Sequence, residues 1–189
     1  MNQKNLISKA CREAVNEVHS GDTIWIGDTR GSAAEFLEEL AARVGQFKDI
    51  TVIAATGSAE TPCAKVLRET ENIRFLSFSP EAILQTYRTF GQRFITADNE
   101  KISALVCENF GVNIVVLPVC TPDEYGVCAL TGNMVPFESY VSDYPGVLKH
   151  IALIDPHAAP AYGANWTQMN RALFFSFYGD AHGHDLLRL

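Results

Sequence analysis

Apolar and polar positions run along this chain in blocks, and the period of each block predicts its element. From Asn5 to His19 the apolar residues Leu6, Ala10, Ala14, Val15 and Val18 recur at helical spacing, with Gly21 as the stop. Thr23 to Ile26 reads as a strand. Ser32 to Val44 sets Phe36, Leu37, Leu40, Ala41 and Val44 on one face, which predicts a helix with Ser32 as its N-cap. A strand over Ile50 to Ala55, a helix over Pro62 to Thr70 and a strand over Arg74 to Phe78 follow. Pro80 suits the first position of a further helix to Phe90, where its missing N–H is not needed. Asp98 is placed to cap "NEKISALVCENF", in which Ile102, Leu105, Val106 and Phe110 share a face, and Gly111 closes it before a strand over Asn113 to Val119. The last predicted strand is His150 to Ile154.

Strands separated by helical segments of ten or more residues imply parallel pairing, because parallel neighbours need a crossover. The fold class is therefore α/β with a mainly parallel open sheet. No repeat or low-complexity tract interrupts residues 1–163, which read as one domain. Residues 164–189, "ANWTQMNRALFFSFYGDAHGHDLLRL", are less regular and rich in aromatic residues; they are expected to pack on that domain or on a missing second half.

Composition narrows the function classes. The chain has 189 residues, 47% of them hydrophobic and 20% charged, enough for one sizeable core. A net charge of -7 and the absence of a Lys/Arg cluster argue against nucleic acid as a partner. No apolar run approaches the ~20 residues needed to cross a bilayer, and the first ten residues lack a signal-peptide core. No membrane partner and a cytoplasmic location are the resulting expectations. The five cysteines, an odd number without a CxxC pair, read as reduced and mostly buried thiols.

In an open α/β sheet, ligands gather beyond the carboxyl ends of the strands, so the residues just after each strand are the ones to weigh. "GDTRGSA", Gly27 to Ala33, is a glycine-bearing turn into a helix N-terminus, where main-chain N–H groups can meet a phosphate or carboxylate; a tight turn before a capped helix explains it equally well. It is neither GxGxxG nor a P-loop. "ATGSAETP", Ala55 to Pro62, is equally open and offers Ser58 and Thr61. "VVLPVCTPDEYGVCALTG", Val115 to Gly132, poses the sharpest question. Cys120 and Cys128 stand eight apart with no neighbouring histidine, which fits no common zinc spacing. Asp123 and Glu124 are adjacent, so their side chains diverge and do not make an acid–base pair. Thr121-Pro122-Asp123 begins a turn more naturally, with Gly126 supplying a positive φ. His182 and His184 with Asp180 and Asp185 lie at the chain end and read as an exposed cluster. Ser58 and Cys63 have no GxSxG-like setting that would make a nucleophile.

Once these residues are set in order, the chain resembles the N-terminal domain of the acetyl-CoA hydrolase/transferase family, which includes the 4-hydroxybutyrate CoA-transferases. The most specific segment is Val115 to Gly132, with Pro122, Asp123, Glu124, Gly126, Cys128 and Leu130 at the family's positions. "AVNEVHSGDTIWIG" (Ala14 to Gly27) is similar to the family's opening helix, Ser-Gly-Asp turn and first strand, and "IALIDPHAAPAYG" (Ile151 to Gly163) to its later strand ending in Asn/Asp-Pro. The chain departs from the family in placing Asp28, Thr29 and Arg30 where a more glycine-rich turn is usual.

The resemblance implies a three-layer α/β/α domain of the kind shared with ribose-5-phosphate isomerase-like proteins (NagB/RpiA/CoA-transferase-like). It also implies an acyl-CoA hydrolase or CoA-transferase that moves coenzyme A between a thioester and a small carboxylate. Coenzyme A thioester is then a substrate, and no metal is needed. In the family the catalytic glutamate lies in a second, C-terminal domain. "CENFG", Cys107 to Gly111, superficially resembles that glutamate's surroundings, but Glu108 falls in the last turn of a helix, and Glu60 lies in a loop without a motif. No catalytic residue is therefore assigned to this chain, and it is expected to be inactive alone, to need a catalytic half or partner subunit, and to oligomerise. Gly27, Gly31, Ser58, Pro122, Asp123 and Gly126 are the expected substrate-binding positions. The alternative is a non-catalytic module that binds an acyl-CoA or an organic acid.

Overall fold

The computed structural model describes residues 10–28, 31–56, 66–67, 69–77, 99–131, 141, 143–155, 166–168 and 173–176. Helical residues 10–15 (α1) lead to strand β1 (Thr23–Asp28), helix α2 (Ser32–Ala42) and strand β2 (Ile50–Thr56). Strand β3 (Ile73–Ser77), helix α3 (Asn99–Phe110) and strand β4 (Ile114–Val119) follow, then β5 (Val127–Ala129), β6 (Lys149–Ile154), β7 (Trp166–Gln168) and β8 (Leu173–Ser176). Six strands form one sheet in the order β3-β2-β1-β4-β6-β8, every pairing parallel. A separate antiparallel ribbon pairs β5 with β7.

The two faces of the sheet follow from the period-2 rule. Ile24 and Ile26 of β1, Ile50, Val52 and Ala54 of β2, Ile114 and Val116 of β4, and Ile151 and Leu153 of β6 pack on one face with α1 and with Phe36, Leu37 and Leu40 of α2. Trp25, Ile53, Val115, Leu117, Val119, Ala152 and Ile154 take the other face, with Val106 and Cys107 of α3. Helices thus cover both faces, which makes the three layers of an α/β/α fold and explains why the central strands read as near-continuous apolar runs. Each fully buried Leu, Ile or Phe contributes about 1.5–3 kcal/mol of transfer free energy, so this double layer carries most of the stability.

Three local expectations change. Ser32 does not cap α2: Gly31 does, with φ 59 and ψ -136 and no side-chain hydrogen bond, and Ser32 is the first helical residue. The reason is that the chain enters the helix through a left-handed residue, which glycine accepts without strain. α1 ends sooner than the apolar spacing implies, since the N–H groups of Glu17 and Val18 reach back only three residues. Gly21 (φ 89) shapes the turn into β1 instead, donating its N–H to Lys48 O at 3.0 Å. The turn after β4, finally, is a full hairpin whose return arm is β5. The predicted helix over Pro80 to Phe90 lies outside the described residues, as does most of Pro62 to Thr70.

Polar groups tie the amino ends of the strands. Asn113 Oδ1 accepts the Thr23 N–H at 2.8 Å, and its Nδ2 donates to Asp22 Oδ1 at 2.9 Å. The Asn113 carbonyl accepts the N–H groups of Leu148 and Lys149, so one residue joins the starts of β1, β4 and β6. On the α1 and α2 side, Arg43 bridges Glu39 at 2.7 Å, Asn16 Oδ1 at 2.6 Å and the Arg12 carbonyl at 3.1 Å.

Candidate functional site at the carboxyl edge

The strand order sets where a ligand would sit. From β1 the chain winds outward through β2 to β3, then crosses back to β4 on the other side of β1 and continues to β6 and β8. β1 and β4 therefore flank the point where the winding reverses, and the crevice beyond their carboxyl ends is where such sheets bind ligands.

Two of the predicted segments lie at that edge of the sheet. Gly27 lies in β1 near its carboxyl end, and Gly31, in a left-handed conformation, begins α2. Pro122, Asp123 and Gly126 belong to the hairpin that rises from β4. Its arms are joined by Cys120 N–H to Ala129 O at 2.8 Å, the Val119–Leu130 bridge and Thr131 N–H to Pro118 O at 3.0 Å. Ser58 lies outside the described residues, as do Glu60, Cys63 and the His182–Asp185 cluster.

The hairpin turn is built on Asp123. Its Oδ1 accepts the N–H groups of Tyr125 and Val127, each at 2.9 Å, its own N–H reaches Val127 O at 2.9 Å, and its carbonyl accepts the Gly126 N–H at 3.0 Å. Gly126 holds φ 73, as the sequence predicts. An aspartate that bonds the backbone two and four residues on is a turn former, and Glu124 is exposed beside it. At the tip, Tyr125 is 82% exposed.

Because side chains alternate along each arm, Cys128 joins the sheet core with Val119 and Leu130, while Cys120 projects from the opposite side with Ala129. Among the described residues no disulfide joins any of the four cysteines. Burial pushes the Cys128 thiol up to about 11, with the Asp123 carboxylate adding to the effect. Burial also raises Cys120, helped by Asp155, which follows β6 and donates its N–H to Val119 O at 2.8 Å. A thiol held protonated is a poor nucleophile. Among the described residues no group of three or more His, Cys, Asp and Glu side chains is placed to hold a metal ion, and no helix is long and apolar enough to cross a membrane. Glu108 stands exposed in the last turn of α3, closed by Gly111 (φ 63), at the amino end of β4 and so away from the crevice.

A hollow of about 420 Å3, lined by Asp49, Thr70, Glu71, Asn72 and Arg74 among others, opens at the amino ends of β2 and β3. It is on the wrong edge of the sheet for the usual ligand position, and Asn72 is engaged there by Thr70 Oγ1 and the Val44 carbonyl.

The sheet and its covering helices make an α/β fold of the CoA-transferase-like kind. RipA from Yersinia pestis shares it with a TM-score of 0.65 and 18% identity over 93% of this chain and 43% of that one. The 4-hydroxybutyrate CoA-transferase from Porphyromonas gingivalis gives 0.62 and 14% over 93% of this chain and 41% of that one. eIF2B beta from Chaetomium thermophilum gives 0.56 and 14%, covering 97% of this chain and 52% of that one. At these identities the likeness is one of fold. The chain spans less than half the length of RipA and of the transferase. No protein-family model matches it, and no curated protein matches it significantly.

Proposed function

We propose that this chain forms one half of an acyl-CoA hydrolase or CoA-transferase and supplies walls of the pocket for the acyl group or the acceptor carboxylate. The observation that carries the reading is the coincidence of two independent features. The segment with the most specific family resemblance, Val115 to Gly132, forms the β4 hairpin at the reversal point of the sheet, and a 4-hydroxybutyrate CoA-transferase shares the fold over 93% of this chain. The nucleophile comes from a second domain or a partner subunit. A carboxylate there attacks the thioester carbonyl and releases CoA thiolate, leaving a mixed anhydride; the thiolate then attacks the enzyme's side of the anhydride and frees the acyl carboxylate. Main-chain N–H groups stabilise the oxyanion formed at each attack. In this reading Gly27, Gly31, Pro122, Asp123 and Gly126 border the cleft, with glycine letting ligand approach the backbone closely.

The purified chain is expected to turn over acetyl-CoA with acetate at a rate indistinguishable from buffer, and to gain activity when the missing half is supplied. Enzyme-like turnover by the chain alone would overturn the division of labour. A second reading, a non-catalytic module for an acyl-CoA or organic acid, is favoured by two observations: the described thiols are held protonated, and Asp123 is committed to its turn. eIF2B beta has a similar fold, and a fold alone does not select one function. Binding of CoA esters with no gain of activity on complementation would select this reading.

A further inference from the structure

We infer that the N-terminal end of α2 is an oxyanion site formed by the Ser32 hydroxyl and the main-chain N–H groups of Ser32 and Ala33. Two independent observations meet there. Gly31 enters the helix at φ 59 without a side-chain cap, and a Cβ built on it would meet no atom within 4 Å. Ser32 is 7% exposed, and its Oγ is buried without a hydrogen-bond partner. A hydroxyl in that state costs folding free energy, which a ligand that accepts from it recovers. Side chains at the start of a helix lean toward its N-terminus, so Ser32 Oγ tilts to the end where the first-turn N–H groups point. α2 has 11 residues, long enough for its N-terminal partial charge to favour an anion.

Glu35, also in the first turn, adds negative charge to the same end. Hydrogen bonding therefore carries the site more than net charge does, and the anion it suits is compact: a carboxylate or a phosphate group. The identity of that group rests on the function proposed above, in which a carboxylate would be the acceptor acid and a phosphate part of coenzyme A. The existence of the site does not.

The test is amide chemical-shift titration of the full chain with sodium acetate and, separately, sodium phosphate, with sodium chloride at matched ionic strength as the control. Saturable shifts at Gly31, Ser32 and Ala33 with either oxyanion, and none with chloride, are expected. Ser32→Ala is expected to weaken that binding about tenfold or more while leaving the apparent Tm equal or higher. Glu35→Gln is expected to tighten it. Saturation by acetate identifies the acceptor carboxylate, and saturation by phosphate alone identifies a phosphate group. Absence of saturable shifts at the α2 end in the wild-type chain overturns the site, as does full retention of binding by Ser32→Ala. Acetyl-CoA titrated in parallel separates the two proposals: its binding without an oxyanion response at Ser32 removes the site and keeps the function, and the reverse removes the function and keeps the site.

Discussion

Asp123 shows how a candidate site residue can be read correctly for shape. Its carboxylate organises the β4 hairpin by accepting two N–H groups, so its loss should destabilise the chain by about 1 kcal/mol, with Asp123→Asn retaining most of the turn. Urea denaturation measures this, and an unchanged midpoint for Asp123→Ala would show that water replaces the carboxylate without cost. The thiols give a second prediction at this scale. Burial raises Cys11 to about 12, with Glu35, Glu39 and Glu38 adding to it, and raises Cys107 to about 11 through burial and Glu108. A folded-state pKa above the unfolded value keeps its full stabilising effect below the unfolded pKa, near 9, and loses it as pH climbs toward 11 to 12. Tm should therefore decline above about pH 9, less steeply in Cys11→Ala, and alkylation of Cys11, Cys107 and Cys128 at pH 8 should be slow until urea is added, as peptide mass spectrometry would read. Rapid labelling of Cys11 in the native chain would contradict this burial.

Among the elements, the joint at Asn113 ranks first because it bonds to β1 through its side chain and to the start of β6 through its carbonyl. Asn113→Ala strands the largely buried Thr23 N–H and should cost about 2–3 kcal/mol. Asn113→Asp should cost more at pH 7, since a second carboxylate would face Asp22, and the excess should shrink as acid neutralises the pair. Equal losses at both pH values would show that charge is not the cause. The central elements were legible in the sequence. The period of Phe36, Leu37 and Leu40 and the runs at Ile50 to Ala55 and Asn113 to Val119 each gave an element within two residues of its observed ends. The shorter strands were not. β5 is only three residues long and was absorbed into the turn that Asp123 and Gly126 announce, and the same tight turn makes that strand inevitable once β4 folds back. β7 and β8 lie in the aromatic-rich stretch after residue 163, where no alternation marks a face, and their pairing with β5 and β6 depends on partners remote in sequence. Ser32 was misassigned because a serine before an apolar period is the usual cap signal; only the backbone at Gly31 reveals the shift by one residue.

For the whole molecule, the alternation of strands and helices was enough to place the chain in the α/β class, and pairing order then located the crevice between β1 and β4, which no local pattern could do. The order depends on the crossover from β3 back to β4, a long-range event. The candidate site was legible only in part. Gly27, Gly31 and the Pro122–Gly126 turn are brought to one edge, whereas the buried Ser32 hydroxyl carried no signal in sequence because burial is a property of the fold. The chain's fold neighbours extend well beyond the length it shares with them, and the central claim is that the carboxyl edge of β1 and β4 faces an acyl-CoA. Titrating the isotopically labelled chain with acetyl-CoA tests it most directly. The account predicts saturable amide shifts at Gly27, Gly31 and Gly126 with none at Asp49, Asn72 or Arg74; shifts confined to the amino-edge hollow, or no binding at all, would contradict it.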